Sequence, residues 1–80
     1  MRVIKDLVRY DTDKAIEIAS LEGDAGTFIL YKTGSGNWFT YHEIHNTFTS
    51  LTEHEAALLI EKCSEWELLE EHFGHLIKDA

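Results

Sequence analysis

Five histidines in a chain of 80 residues are the first side chains here that could bind a metal ion. Two pairs have the spacing H-x-x-H: His42 with His45, and His72 with His75. Residues three apart on a strand point to opposite faces, which separates the first pair. The second pair would share a helical face, but Gly74 between them is typical of a helix end. We therefore expect no metal site and no cofactor; a metal sensor is an alternative that metal analysis of untagged protein tests.

Cys63 is the single cysteine, so an intramolecular disulfide is excluded. It falls on the apolar side of a predicted helix, which favours a buried and inert thiol. Catalysis would need the thiolate, and the flanking Glu61 and Glu65 disfavour that form despite the adjacent Lys62. We therefore expect a structural cysteine, which suits a reducing cytosol.

Other patterns that could support catalysis lack the structural context they need. Acid–base catalysis needs two carboxylates in different environments inside a cleft, whereas the acids here fall on helix faces that we expect to be solvated. Ser35 lies in a Gly-Ser-Gly turn that a strand follows, whereas a nucleophile elbow is followed by a helix. So short a chain also has little interior in which to enclose a substrate. We expect a protein without catalytic activity.

The distribution of charge is the strongest functional signal in the sequence. Fifteen acids and seven bases give a formal charge of −8, which disfavours direct binding to nucleic acid or an anionic membrane. Residues 1–42 hold six acids and five bases, net −1, whereas residues 43–80 hold nine acids and two bases, net −7. Carboxylates three or four apart on a helix repeat every ~4.5–6 Å, close to the phosphate repeat of a nucleic-acid strand. The acidic half therefore suits a basic groove, or it simply confers solubility.

The elements that position these residues begin with residues 1–10, which we interpret as a strand or a strand and turn. Asp11 then suits a helix start, because its side chain can accept from free backbone N–H groups. Three apolar residues follow at helical spacing: Ala15, Ile18 and Ala19. Gly23 and Gly26 would end this helix.

A β-hairpin is the clearest element of the sequence. Aromatic and β-branched runs at residues 28–31 and 38–41 flank residues 33–37, whose two glycines supply the positive φ that a turn needs. Alternation at residues 47–49 predicts a third strand after it. The expected order is β-α-β-β-(β)-α-α, with helices on one face of the sheet.

The large apolar side chains of this hairpin, most of them aromatic, divide between two alternating sets. One comprises Tyr31, Phe39 and Tyr41; the other comprises Phe28, Leu30 and Trp38. Three strands and two helices hardly cover both faces of a sheet, so one set is a candidate interface with a partner. The sequence allows two outcomes for that set: it is exposed and contacts a partner or a second copy, or it is fully buried.

Two further helices are expected in the acidic half. Thr52 with Glu55 and Ser64 with Glu67 each have the spacing of a capping box. The apolar stripes that follow are Ala56, Leu59, Ile60 and Cys63, and then Trp66, Leu69, Phe73 and Leu76. At 100° per residue the two stripes differ in direction by roughly 110°, so one straight helix cannot bury both. We predict a break just before the second box and a helix end at Gly74.

Three short motifs occur in order along the chain: YDTDKA at residues 10–15, LYKT and GNWF at residues 30–33 and 36–39, and LTEHEA at residues 51–56. Over about residues 8–75 the chain resembles a family of small uncharacterised proteins of bacteria, archaea and their mobile elements. The resemblance implies no activity and supplies no catalytic residues. Residues 43–46 stand where that family often carries a longer glycine-rich segment, so no role of that segment is carried over.

We predict a single α+β domain over residues 1–80: a small antiparallel sheet of three to four strands, including the central hairpin, with three helices. Apolar residues make up 44% of the chain, too many for a disordered segment. No apolar run is long enough to span a membrane, and no signal peptide is recognisable, so we expect a cytoplasmic protein.

The expected function is binding to a protein partner, not catalysis. An acidic helical surface would dock a basic, nucleic-acid-binding groove, on a nuclease or another effector, and so inhibit or regulate it as a nucleic-acid mimic. Inhibitors of bacterial immune nucleases, such as anti-CRISPR proteins encoded by phages and other mobile elements, are similar in being small, acidic and single-domain. The candidate partner-binding residues are Glu53, Glu61, Glu65, Glu67, Glu70 and Glu71, with Tyr31, Phe39 and Tyr41.

Two other functions fit the sequence less closely. The first is a homo-oligomeric structural or regulatory protein, for example a homodimer that associates through an exposed sheet face. The second is a winged-helix-like DNA binder with the hairpin as its wing. Lys32 is the single basic residue on that hairpin, and the acidic half would repel a phosphate backbone.

Overall fold

Within residues 1–24 and 26–80, which the computed structural model describes, six strands precede two α-helices and a short 3-10 helix. The strands are β1 (Arg2–Lys5), β2 (Val8–Asp11), β3 (Ile16–Gly23), β4 (Gly26–Lys32), β5 (Trp38–His42) and β6 (Thr47–Leu51). The helices are α1 (Glu53–Lys62), α2 (Trp66–Phe73) and the 3-10 helix Gly74–Leu76. The α+β class is confirmed. The expectation of three α-helices is wrong, since the described residues form two.

Two antiparallel sheets make up the β structure. β3, β4, β5 and β6 form a four-stranded meander in chain order, and β1 pairs with β2 as a separate hairpin. The predicted central hairpin is β4–β5, with Tyr31 opposite Phe39, and the predicted third strand is β6. The β1–β2 turn consists of Asp6 and Leu7, both with positive φ, as a tight two-residue hairpin requires.

The helix expected after Asp11 is instead a strand, β3, which pairs along its length with β4. The pairing is irregular between Glu17 and Ala19, and both Ile18 and Ala19 pack against the helical side of the sheet. This bulge interrupts the strict alternation of a strand, so the apolar spacing imitates a helix. Gly23 and Gly26, expected to end the helix, instead lie opposite each other at the ends of β3 and β4.

Both faces of the four-stranded sheet are covered. On one face α1 and α2 pack on a core that includes Leu30, Trp38, Ile60 and Phe73. On the other face the β1–β2 hairpin lays Tyr10 against strands β4 to β6. The sheet is therefore the middle layer of three, with a hydrophobic core on each side.

The C-terminal helices follow the prediction in most respects. Thr52 and Glu55 form a reciprocal capping box, with N–H to oxygen distances of 2.8 and 3.1 Å. The predicted break is present, because Ser64 has a φ of +58° between the two helices. The prediction of a second capping box is wrong: Ser64 closes α1, where its N–H donates to the Glu61 carbonyl oxygen, and among the described residues no side chain caps α2. α2 ends before Gly74, as predicted.

The longer of the two helices, α1, has ten residues, about half of what a membrane-spanning helix needs. Among the described residues, no helix is long and apolar enough to cross a membrane.

Candidate functional site

The acidic surface consists of the six glutamates predicted to bind a partner: Glu53, Glu61, Glu65, Glu67, Glu70 and Glu71. All six side chains are exposed on α1, on α2 or in the connection between them. None forms a salt bridge to lysine or arginine within the described part of the chain; two contact histidines, Glu71 with His72 at 3.3 Å and Glu53 with His75 at 3.1 Å. Their carboxylates therefore face solvent without a direct ion pair to lysine or arginine among the described residues.

The arrangement of α2 separates its acids into two rows. Glu67 and Glu71 lie four residues apart, so they share a helical face. Glu70 lies one turn after Trp66 on the neighbouring row, and both line a groove between α1 and α2. Glu61 reaches the same groove from α1. The helices thus bring some of the acids next to apolar side chains.

This interhelical groove has a volume of about 410 Å³. Its apolar lining includes Ala57, Leu58, Trp66, Leu69, Phe73 and Ile77. Three of these apolar side chains are exposed: Trp66 at 56%, Leu58 at 49% and Ile77 at 44%. His54 and Lys78 complete the polar lining with Glu61 and Glu70.

The sequence does not predict the groove, because the apolar periodicity assigns Trp66 to a buried stripe. In the structure Leu69 is half-buried and Phe73 fully buried, as predicted, whereas Trp66 at the start of α2 stays exposed. Leu58 carried a usable signal, since it is an apolar residue outside the predicted stripe of α1. Ile77 lies beyond the predicted helix end, where no periodicity marks it.

The aromatic candidates lie on the opposite face of the sheet from the acidic surface, so the two predicted sets are not brought together. Phe39 is completely buried and Tyr31 is 9% exposed, stacked at 4.9 Å between ring centroids. Tyr10 of the N-terminal hairpin meets Phe39 edge-on at 5.4 Å. The alternative of an exposed patch at Tyr31 and Phe39 is therefore wrong, because the β1–β2 hairpin, expected as a strand or a strand and turn, covers them.

Tyr41 is the one member of the aromatic set that stays half-exposed, and its hydroxyl donates to Asn46 Oδ1 at 2.6 Å. Burial, with Glu17 and Glu43 nearby, raises the pKa of Tyr31. Tyr31 is therefore uncharged at neutral pH and belongs to the core of the hairpin face.

The histidines are dispersed over the molecule. His72 packs edge-on against Trp38 under α2, with ring centroids 6.2 Å apart, and His75 contacts Glu53. The His42 and Phe28 rings lie with their centroids 5.0 Å apart, and His42 Nδ1 is buried without a hydrogen-bond partner in the part of the chain that the structure describes. Within residues 1–24 and 26–80, no three His, Cys, Asp or Glu side chains converge as metal ligands.

Two candidate nucleophiles remain, Cys63 and Ser35, and both make contacts typical of structural residues. Cys63 is half-buried at the end of α1, less buried than expected, with its Sγ 4.0 Å from the Glu22 carbonyl oxygen. Ser35 lies in the β4–β5 turn, where its hydroxyl is 3.3 Å from the Thr33 hydroxyl and accepts from the Asn37 amide. Neither contact includes a base that would activate the nucleophile.

No family model, no curated protein and no solved structure matches this chain. The resemblance to small proteins of bacteria, archaea and mobile elements therefore stays a prediction from three motifs. The observations that bear on function are the charge of the acidic surface, its exposure and the groove beside it.

Proposed function

We propose that this protein acts without catalysis by binding a partner protein whose basic surface otherwise contacts nucleic acid. The observation that carries the proposal is the acidic surface: six exposed glutamates on two adjacent helices, none of them paired with lysine or arginine in the described residues. Such a surface attracts a cationic groove and repels phosphate, which directs it to proteins that bind nucleic acid and away from nucleic acid itself.

The consequence for the partner would be inhibition or regulation. An occupant of a nucleic-acid groove excludes the nucleic acid, so a bound nuclease or similar effector would lose access to its substrate. The spacing of carboxylates on α2 supports this mimicry, because Glu67 and Glu71 are one helical turn, or ~6 Å, apart. A free cysteine without a disulfide partner suits the cytoplasm, where such partners act.

Charge by itself supports rate and selectivity more than affinity. An exposed ion pair contributes about 0.2–1 kcal/mol and is weakened by salt. Several together would steer the encounter with a basic groove, which raises the association rate at low ionic strength. Tight binding would need apolar contact as well.

The homo-oligomer alternative depended on an exposed aromatic sheet face. That face is covered by the β1–β2 hairpin, so this basis for self-association is gone. A second copy also carries a charge of −8, and two such copies repel each other. Size-exclusion chromatography with light scattering tests it directly, and we expect a monomer at micromolar concentration.

Host-lysate capture with matched charge variants tests the proposed function. The test variant replaces with lysine the acids Glu61, Glu65, Glu67, Glu70 and Glu71. The control variant replaces with lysine five exposed acids outside the helices: Asp13, Glu17, Glu22, Asp24 and Glu43. Each reversal adds two charges, so both variants move the formal charge from −8 to +2.

We expect the wild type and the control variant to retain the same basic proteins from lysate, and the test variant to lose them. Added duplex DNA or RNA should displace the captured protein, and raising the salt should release it. Circular dichroism establishes that both variants are folded. Equal capture by the two variants, or capture insensitive to salt and nucleic acid, would contradict the proposal.

A further inference from the structure

The interhelical groove adds an apolar contact to the acidic surface, and this inference rests on the proposed function. The two tryptophans of the chain differ in exposure: Trp38 in the core is 2% exposed, whereas Trp66 in the groove is 56% exposed. Leu58 and Ile77 border the same groove and are each nearly half exposed. A cluster of large exposed apolar side chains is typical of an interaction site, and tryptophan is enriched among residues that dominate binding energy.

The polar lining indicates the charge of the occupant. Glu61 on α1 and Glu70 on α2 both border the apolar residues, and Lys78 is the one cation among them in the described residues. The indole of Trp66 lies one helical turn before Glu70. A guanidinium placed there could stack on the indole and pair with the carboxylate at the same time.

Size and openness limit what the groove can hold. A volume of about 410 Å³ lies near the lower end of the ~300–1,000 Å³ range of ligand pockets. It therefore suits one or two bulky side chains of a longer segment. A second copy of this chain is a poor occupant, because its acidic half would bring like charges to the groove.

We infer that the interhelical groove binds a short segment of the partner protein in which a bulky apolar side chain is flanked by arginine or lysine. The apolar side chain would contact Leu58, Trp66 and Ile77, and the flanking cations would face Glu61 and Glu70. This is recognition by a hydrophobic anchor within a charged rim. The apolar anchor would supply affinity that the acidic surface cannot supply by charge.

Two synthetic peptides of equal charge serve as probes. The first has central leucines flanked by arginines, and the second has serines in place of the leucines. We expect the leucine peptide to bind at least about tenfold more tightly, since burial of a leucine side chain is enough for that factor. Binding should also shift the tryptophan fluorescence to shorter wavelength, because the exposed indole of Trp66 becomes buried. The shift can be assigned to Trp66, since Trp38 is already buried and should change little.

Matched variants assign the effect to the groove. Leu58→Ser and Trp66→Ala should each remove most of the preference for the leucine peptide. Ile44→Ser is the control, because Ile44 is 86% exposed in the β5–β6 turn, outside the groove. Lys78→Glu should strengthen binding of both peptides, whereas Glu70→Lys should weaken both.

The outcomes distinguish apolar binding in the groove from binding by charge alone. Equal affinity for the two peptides, or an unchanged preference in both Leu58→Ser and Trp66→Ala, would overturn the groove inference and leave the charge-dependent proposal standing. Binding of neither peptide would overturn the groove inference, and the lysate capture would then decide the proposed function separately. A dimer that Trp66→Ala dissociates would show that a second copy occupies the groove and would also overturn the inference.

Discussion

One face of the four-stranded sheet is covered by two helices that carry an acidic surface and an open groove, and the other by a β-hairpin that closes over aromatic rings. On the hairpin face the large apolar residues of the sheet are used up in packing, as Phe39 and Tyr31 illustrate. On the helical face the core is equally well buried, but Trp66, Leu58 and Ile77 remain outside it. Exposed apolar residues also occur elsewhere, as at Leu7 and Ile44, but these three lie beside the acids Glu61 and Glu70, so the helical face presents apolar and acidic side chains together.

The largest expected effect comes from opening either core. Phe39 on the hairpin face and Phe73 on the helical face are both completely buried, so replacement by alanine should lower the free energy of unfolding by about 3–5 kcal/mol each. Urea denaturation measures it, and Phe48→Ala, at a half-buried site, should cost less. A negligible loss for Phe39→Ala would mean that the hairpin does not close this face.

Acid should weaken the hairpin face through Asp11. The Asp13 backbone N–H, donating to Asp11 at 2.9 Å, and then Arg2 hold the pKa of the buried Asp11 below its ordinary value. A lowered folded pKa contributes stability that is complete above the unfolded pKa, about 3.9, and is lost as the pH falls through the folded value. Asp11→Asn should therefore lower the urea midpoint at neutral pH and flatten its fall in acid.

Asp13→Asn is the matched control for Asp11, because Asp13 is exposed and contributes its backbone N–H and not its carboxylate to this network. Its urea midpoint should follow that of the wild type across the pH range. The same acid dependence in wild type and Asp11→Asn would contradict the role given to Asp11.

A smaller effect is expected where the helical face begins. Thr52→Ala removes the hydroxyl that accepts from the Glu55 N–H, and loss of such a cap costs about 0.5–2 kcal/mol. Glu55→Gln should cost less, since glutamine also serves in a capping box. Urea denaturation of the two variants tests this order, and a larger loss for Glu55→Gln would contradict it.

The smallest effect concerns the acidic surface itself. Glu71 lies near the C-terminus of α2 and four residues from Glu67, so it is disfavoured by the helix dipole and by a like charge. Glu71→Gln should raise stability by up to about 0.5 kcal/mol at low salt. Glu67→Gln should gain less, because Glu67 is favoured in the first turn. Thermal unfolding at low and high salt measures both, and a gain that persists at high salt would contradict an electrostatic origin.

Local patterns were sufficient for the elements that depend on short-range rules. The β4–β5 hairpin follows from alternating aromatic runs around two glycines, and the start of α1 follows from Thr52 and Glu55. The break between α1 and α2 follows from two apolar stripes that point in different directions. Each of these elements depends on residues that lie close together in the sequence, so local patterns are enough to predict it.

Elements that depend on pairing or packing with distant residues were misread. β3 was mistaken for a helix because its bulge near Ile18 disguises the strand period, and its pairing with β4 is a contact that no local rule reveals. For residues 1–10 the sequence predicts a strand, or a strand and turn, but not the second strand of the β1–β2 hairpin, because Leu7 occupies the turn position where glycine is usual. Missing that hairpin led to the expectation of an exposed aromatic face.

The sequence by itself determined the charge of the candidate site, because glutamates concentrated in residues 53–71 of a chain with few bases lie on predicted helix faces whatever their packing. Only the tertiary structure decided which apolar residues accompany them. The packing of α1, α2 and the C-terminal segment leaves Trp66 exposed, whereas the β1–β2 hairpin buries Phe39 on the other face of the sheet. Charge is a property that each residue carries with it, whereas exposure belongs to the assembled fold.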